Sequence, residues 1–142
     1  MNVSTRFTVA LHILTLLASN RQLPLTSEYI AGSVNTNSVV VRRLLGLLRR
    51  SGFVTSQPGT GGGWQLSREP ASITLVDVRR AVNEGSPFTM HSQPPNPACP
   101  VGRNIQAVLR EPYARAERAM EAELAKTTVK GLLHSVQARR PG

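Results

Sequence analysis

The sequence contains one cysteine, Cys99, so no disulfide can form within the chain. A single cysteine is also compatible with the reducing cytoplasm. The three histidines, His12, His91 and His134, are far apart, and the sequence shows no nucleophile–base pair, no metal-spaced cluster and no cofactor loop. We therefore expect a protein that is not an enzyme and has no metal site; a constellation of distant residues is the alternative that sequence leaves open.

Aromatic residues and long apolar runs are scarce as well. Three phenylalanines, two tyrosines and one tryptophan are few for a platform that stacks single-stranded nucleic acid. The longest apolar run, Val9 to Ala18, is interrupted by His12 and Thr15 and is far too short to span a membrane. It also lacks the small-residue cleavage site of a signal peptide. We expect a cytoplasmic protein that does not bind membranes.

Acidic residues are scarce in the first half of the chain. The whole sequence has 17 basic and 8 acidic residues, a net charge of +9. Residues 1–68 hold seven arginines and one acid, Glu28, and therefore carry +6; the ten basic and seven acidic residues that follow carry +3. Such an excess favours a polyanionic partner, either nucleic acid or an anionic membrane surface. The long C-terminal helical pattern has alternating charges instead of a basic face with bulky apolar anchors, which argues against the membrane.

Periodicity and capping residues predict three helices at the start of the chain, over about residues 4–19, 27–34 and 38–51. Ser4 can cap the first helix and Thr26 or Ser27 the second, and Gly52 stops the third. In the stretch "FVTSQPGTGGGWQLS", residues 53–56 and 63–67 are predicted strands with a glycine-rich turn between them.

The second half of the chain is predicted to be helical around one irregular loop. A fourth helix is capped at Thr74 and stops near Gly85, and the proline-rich residues 86–102 form the loop. A long helical pattern covers residues 103–126, and a short helix starts near Thr128. Pro112 lies inside the long pattern and should kink the helix or split it after Glu111.

This order of elements predicts a mainly α fold with a small β-hairpin wing: a winged helix-turn-helix domain followed by a long dimerisation helix. We expect residues 1–84 to form the DNA-binding domain and residues 85–102 an effector or sensor loop. Residues 103–142 should form the dimerisation helix and a short C-terminal helix. In such folds the third helix enters the major groove, and here it is the arginine-rich "NTNSVVVRRLLGLLRR".

The third helix separates into an apolar face and a polar face. Val41, Leu44, Leu45 and Leu48 form a stripe that should pack on the first helix. The expected base readers lie at the N-terminal end, where asparagine suits adenine and arginine suits guanine or phosphate; they are Asn37, Ser38, Val39, Arg42 and Arg43. At the other end, Arg49 and Arg50 suit backbone phosphates or the helix dipole. A plain solvated arginine face is the alternative.

The turn of the hairpin is the predicted wing tip. Its glycines do not form a nucleotide-binding loop, because Trp64 follows them where a phosphate loop needs Lys and no helix begins there. We expect the tip to approach the DNA backbone closely through Gly59, Thr60, Gly61 and Gly62. Trp64 is predicted to anchor the hairpin in the core.

The long helix is the predicted dimer interface. Ile105, Leu109, Tyr113, Ala116, Met120 and Leu124 recur at helical spacing. Packing of this helix on its own domain is the alternative. A symmetric dimer would place two third helices on DNA half-sites one turn, or a multiple of it, apart.

Five stretches resemble the Rrf-two family of bacterial regulators in order and spacing: "MNVSTRFTVALHILTLLA", "TNSVVVRRLLGLLRRSGFV", "GTGGGWQL", "TLVDVRRAV" and "NPACPVGRNIQAVL". The resemblance covers nearly the whole chain. It implies a winged-helix homodimer that binds double-stranded DNA at a palindromic promoter site, usually as a repressor. The alternative function is a non-catalytic winged-helix module that binds RNA or a protein partner.

This sequence departs from the family in two places. Several members bind an iron–sulfur cluster through three cysteines in the loop before the long helix, but this loop holds only Cys99, and one thiolate cannot hold a cluster. The resemblance is therefore to the branch without a cluster, and no cofactor is expected. Pro58 stands where the iron–sulfur-cluster regulator has a minor-groove arginine, so the third helix should supply more of the affinity for DNA.

Cys99 is either a half-buried structural residue or an accessible redox sensor.

Overall fold

The computed structural model describes residues 3–82 and 85–139. Over these residues the helices are α1 (Val3–Ser19), α2 (Ser27–Val34), α3 (Ser38–Arg50), α4 (Leu75–Val82), α5 (Pro100–Leu124) and α6 (Val129–Ala138). The strands β1 (Val54–Gln57) and β2 (Gly63–Leu66) pair antiparallel, and a short 3-10 turn covers Pro70–Ser72. The predicted fold class, mainly α with a β-hairpin wing, is confirmed.

Two compact units make up the chain. One comprises Met1–Glu84 with Leu124–Gly142, and the other comprises Gly85–Glu123. The first unit holds α1 to α4, the hairpin and α6, and the second holds the loop and nearly all of α5. We predicted that the last helix belongs to one segment with the long helix, residues 103–142. In the structure, α6 packs against α1 in the winged-helix unit.

The core of the first unit forms where α1, α2, α3 and α4 meet. The predicted stripe of α3, Val41, Leu44, Leu45 and Leu48, is buried, and α3 contacts α1 as expected. On α1, Ala10, Leu14 and Leu17 are buried while Phe7 and Leu11 are half-buried. Burial of this apolar face fixes which side of α3 turns outward.

Capping hydrogen bonds explain where the middle helices begin. The Thr26 hydroxyl oxygen accepts from the backbone N–H of Tyr29 at 3.1 Å and starts α2. At α4 the pair Thr74 and Asp77 forms a reciprocal capping box, with hydrogen bonds of 3.1 and 3.2 Å between each backbone N–H and the other side chain. The predicted end of this helix falls on residues 83–84, which lie outside the described residues.

Several element boundaries differ from those predicted by one to three residues. The first helix begins at Val3, so Ser4 does not precede it, and β1 is shifted one residue towards the turn, as is common at element ends. The long helix begins at Pro100 rather than Arg103, because proline is well suited to the first helical position. The carbonyl of Cys99 accepts from the Arg103 N–H at 2.8 Å, so the loop ends at Cys99.

Pro112 does not split the long helix. One continuous helix runs from Pro100 to Leu124 with the proline inside it, so the expected break after Glu111 is wrong. Proline removes one backbone hydrogen bond, and the turns on either side persist. The Glu111 carboxylate lies 3.7 Å from the Arg115 guanidinium and 3.3 Å from that of Arg118, which ties together the turns around the proline.

The segment between α5 and α6 is joined to the start of α4. The Leu75 N–H donates to the Thr127 carbonyl at 3.0 Å, and the Val129 N–H donates to the Ile73 carbonyl at 2.9 Å. These bonds form a bridge between Thr74 and Thr128. The short last helix starts near Thr128 as predicted, and the Thr128 hydroxyl caps α6 by accepting from the Gly131 N–H. None of the helices in the described ranges is both long and apolar enough to cross a bilayer.

Candidate nucleic-acid interface

The arginines of α3 lie outside its buried stripe, on the exposed part of the helix surface. Val39 is 55% exposed, and Arg42, Arg43, Arg49 and Arg50 are all exposed. The turn Asn35–Asn37 joins α2 to α3, and Asn35 takes up a left-handed backbone conformation (φ 64°) that ends α2. This is the arrangement of a helix-turn-helix pair whose second helix presents a cationic face to solvent.

The side chain of Asn37 caps α3. Its Oδ1 atom accepts from the Val40 N–H at 3.0 Å, which stabilises the first turn of the helix. A bidentate contact with adenine uses both the oxygen and the amide nitrogen, so the cap competes for one of the two atoms. The next residue, Ser38, is half-buried. Base contacts by these two residues remain predictions.

Arg42 is paired with an acid of α2. Its Nη1 atom donates to Oε1 of Glu28 at 3.2 Å, and the side chains of Arg42 and Glu28 are 49% and 71% exposed. The pair bridges the two helices of the helix-turn-helix. Glu28 thus contacts one side of the guanidinium that we predicted to read a base.

Arg43 shares a shallow depression with Arg6 of α1. The depression has a volume of about 150 Å³, and Val40, Leu44 and Leu47 form the rest of its lining. Two guanidinium groups around one depression favour an anion of phosphate size. Sequence analysis did not identify Arg6; the only local signal is that it precedes the buried Ala10 by one helical turn and therefore lies near the face that packs on α3.

Arg49 and Arg50, at the end of α3, have different surroundings. The Arg49 guanidinium lies over the Trp64 ring, 5.7 Å from the ring centroid, which is a cation–π distance. Arg50 is exposed beside it in sequence. Trp64 is half-buried against the core, so the prediction that it anchors the hairpin is confirmed. Arg49 therefore links α3 to the wing.

Backbone geometry alone requires glycine in the wing turn. Gly59 and Gly61 have φ of 89° and 79°, a conformation in which L side chains are strained. A Cβ atom on Gly62 would overlap the Gln57 carbonyl oxygen. The glycines thus make the tight turn possible, and exposed Thr60 is left at its tip.

A third backbone segment supports the hairpin. The N–H and carbonyl groups of Leu25 bond to those of Trp64 at 3.0 and 2.8 Å, so the α1–α2 connection pairs with β2. Arg21, in the same connection, forms an ion pair of 2.9 Å with Glu69, just after the wing. These contacts attach the strands of the hairpin to neighbouring segments. The glycine-rich turn lies at the other end of the hairpin.

In the second unit, Cys99 sits immediately before α5. Its thiol is exposed, which excludes the half-buried alternative, and Sγ lies 3.5 Å from the Gly102 N–H. Over the described residues no group of three His, Cys, Asp or Glu side chains could hold a metal ion. With one cysteine in the chain, the residues do not fit an iron–sulfur cluster.

The apolar stripe of α5 has no buried member. Ile105, Leu109, Tyr113, Met120 and Leu124 are half-buried and Ala116 is exposed. The Tyr113 ring stacks on that of Phe88 with centroids 5.0 Å apart, which covers part of the stripe. A helix of 25 residues with none of them buried in a single chain still has an apolar face available for packing.

The known proteins that this chain is similar to include transcriptional regulators. YwnA of Bacillus subtilis, named as an HTH-type transcriptional regulator, is 42% identical over 132 residues, covering 93% of this chain and 97% of YwnA. The solved structure of CymR, the global cysteine regulator of B. subtilis, is 28% identical with a TM-score of 0.72, covering 95% of this chain and 98% of CymR. T. potens IscR, at 22% identity and a TM-score of 0.75, covers this whole chain and 93% of its own and shares the fold.

The fold and the cationic face of α3 define a winged helix-turn-helix regulator of the DNA-binding kind. The chain belongs to the Rrf2 (Rrf-two) family, described as iron-dependent transcriptional regulators, whose profile matches residues 3–135. The single cysteine agrees with the branch of the family without cluster cysteines. Its relatives are transcriptional regulators, which are not enzymes.

Proposed function

We propose that the protein is a homodimeric repressor that binds a palindromic promoter site with α3 in the major groove. The observation that carries this proposal is the exposed surface of α3: its four arginines are exposed, while its apolar stripe is buried. A regulator that acts on promoter DNA works where that DNA is, so we infer a cytoplasmic location in a bacterium.

We propose that the basic residues make different contacts with the DNA. Arg42 reads a base edge, and Arg43 with Arg6 binds a backbone phosphate at their shared depression. Arg50 binds a second phosphate. Arg49 sets the angle between α3 and the wing through its contact with Trp64 and supplies positive charge there. Asn37, Ser38 and Val39 lie beside the bases, and the wing tip from Gly59 to Gly62 lies along the backbone.

We propose that α5 forms the dimer with α5 of a second copy. The support is its apolar stripe, which the single chain leaves without a buried residue. A two-fold dimer places two α3 helices on half-sites about one turn of DNA, or a multiple of it, apart. We assign residues 1–84 to DNA binding, residues 85–102 to sensing and residues 103–142 to dimerisation, with α6 contributing to the first unit by packing on α1.

We propose that oxidation of Cys99 releases the DNA. A peroxide would convert the exposed thiol to a sulfenic acid and water. A second Cys99 thiol would then displace water and form an intersubunit disulfide. The exposure of Cys99 next to the start of α5 supports this proposal, because a disulfide at that point would constrain the helix that forms the dimer.

The experiment that tests the regulator is selection from sheared genomic DNA of the source bacterium. Reduced protein is incubated with the fragments, and the bound fragments are recovered and sequenced. We expect enrichment of an inverted repeat with half-sites spaced by whole turns. Recovery of all fragments without preference would contradict the proposal, and stronger retention of RNA of matched sequence in competition would favour the RNA-binding alternative.

The redox arm repeats the selection after mild peroxide treatment, with Cys99→Ser as the matched control. We expect wild-type protein to lose the repeat and to run as a cross-linked dimer on a non-reducing gel. The serine variant should keep the repeat and remain a single band. Equal loss of binding in both proteins would show that Cys99 is not the sensor.

A further inference from the structure

Glu28 is an acidic residue in an otherwise basic part of the sequence. It is the only acid in residues 1–68, which carry seven arginines, and its side chain is 71% exposed. A carboxylate on a surface that faces phosphates repels them and lowers affinity for every DNA sequence. Its position in the first turn of α2 suits the helix dipole, but the dipole does not explain why its carboxylate contacts Arg42.

Stability of the fold does not explain the contact either. Both side chains are largely exposed, and exposed ion pairs contribute little to the free energy of unfolding. The pair Arg21–Glu69 is shorter, at 2.9 Å against 3.2 Å, and joins two surface segments away from α3. In the Glu28 contact, by contrast, the arginine is the proposed base reader.

We propose that Glu28 determines sequence specificity by positioning Arg42. This inference rests on the proposed function, in which Arg42 reads a base. An arginine side chain has five N–H donors, and Glu28 engages Nη1. The contact restricts the rotation of a long side chain and leaves the remaining N–H groups for guanine O6 and N7. It also offsets the charge that would draw Arg42 to the phosphates present in any sequence.

The neighbouring arginine shows the contrast. In the part of the chain that the structure describes, no carboxylate pairs with Arg43; this residue and Arg6 both line the shared depression. A pair of cations suits a phosphate, whereas a cation held by an anion suits a polar base edge. The acid on α2 thus divides two adjacent arginines into a base reader and a backbone contact.

The test measures two affinities for each protein, by fluorescence anisotropy at fixed salt. One duplex carries the operator selected by wild-type protein, and the other differs at the base pair whose preference Arg42→Ala loses. Glu28→Ala should raise affinity for the altered duplex about threefold to tenfold, because a negative charge is removed. The ratio of the two affinities should fall about tenfold, as for one weakened base contact.

Three further variants separate positioning from charge. Glu28→Gln loses the charge but keeps an acceptor oxygen, so it should recover part of the ratio. Glu69→Ala, the matched control, removes an equivalent exposed acid and should leave the ratio unchanged. In an Arg42→Ala background, Glu28→Ala should still raise affinity but should no longer alter the ratio. Far-UV circular dichroism of each variant checks that α2 is intact.

The outcomes are distinct. If Glu28→Ala strengthens binding to both duplexes by the same factor, Glu28 acts through charge alone and the inference is overturned. The same holds if the ratio falls equally with Arg42 present or absent. If wild-type protein shows no preference for any sequence, the proposed function itself fails, and the inference fails with it.

Discussion

The guanidinium of Arg49 lies over the indole ring of Trp64, 5.7 Å from the ring centroid. Arg49 lies in the last turn of α3 and Trp64 is the second residue of β2, so this contact joins the third helix to the wing. Trp64 is in turn bonded through its backbone to Leu25. Trp64 thus contacts both α3, through Arg49, and the α1–α2 connection, through Leu25.

Replacing Trp64 by alanine should destabilise the protein by about 2–4 kcal/mol, because a half-buried indole leaves a cavity and Arg49 loses its cation–π partner. Urea denaturation followed by circular dichroism measures this. Trp64→Phe keeps a ring under Arg49 and should lose less than half as much. Equal losses in the two variants would show that the ring contact contributes nothing.

Replacing Arg42 by alanine should relax the preference at one base pair of each half-site, at a cost of about 1–3 kcal/mol in discrimination. Substituted operators in a gel-shift titration measure the preference at every position. If both affinity and preference survive, α3 does not dock as we propose.

Replacing Arg50, Arg43 or Arg6 by alanine should weaken binding to all sequences alike. Each lost phosphate contact should lower the slope of log affinity against log salt by about 1. The control is Arg139→Ala, which removes the arginine that follows α6. The slope should not change in this variant. A variant that alters base preference while the slope stays constant would argue against a phosphate contact for that residue.

Gly62→Ala should destabilise the wing by about 1–3 kcal/mol, because the added Cβ would overlap the Gln57 carbonyl oxygen and the turn must open. Gly46→Ala is the matched control: nothing lies within 4 Å of its Cβ position inside α3, so alanine should stabilise the helix by about 0.5–1 kcal/mol. Thermal denaturation compares the two. The same sign of change in both variants would contradict this account of the turn.

Leu109→Glu should dissociate the dimer, because it places a charge in the apolar stripe of α5. Size-exclusion chromatography with light scattering should then give the mass of a single chain. Ala107→Glu introduces the same charge at an exposed position about 200° around the helix and should leave the dimer intact. Wild-type protein that runs as a monomer would refute the proposed interface.

Features that depend on neighbours in sequence were predictable. The stripe of α3, the caps at Thr26 and Thr74, the start of α6 near Thr128 and the glycine after α3 follow from helical periodicity and from hydrogen bonds over three or four residues. The glycine-rich turn is local in the same sense. The errors at Val3, Pro100 and Pro112 concern where helices begin or whether one continues, and there local preferences nearly balance.

The sequence by itself determined which elements form, which face of α3 is apolar and that the first half of the chain is basic. Only the tertiary structure decided which arginine meets which partner. Glu28 with Arg42, Trp64 with Arg49 and Arg6 with Arg43 are 14, 15 and 37 positions apart. The bridge that joins Thr74 to Thr128 spans 54. Periodicity reports only the face on which a residue lies, whereas contacts between elements depend on how the buried faces pack, and that packing is a property of the whole core.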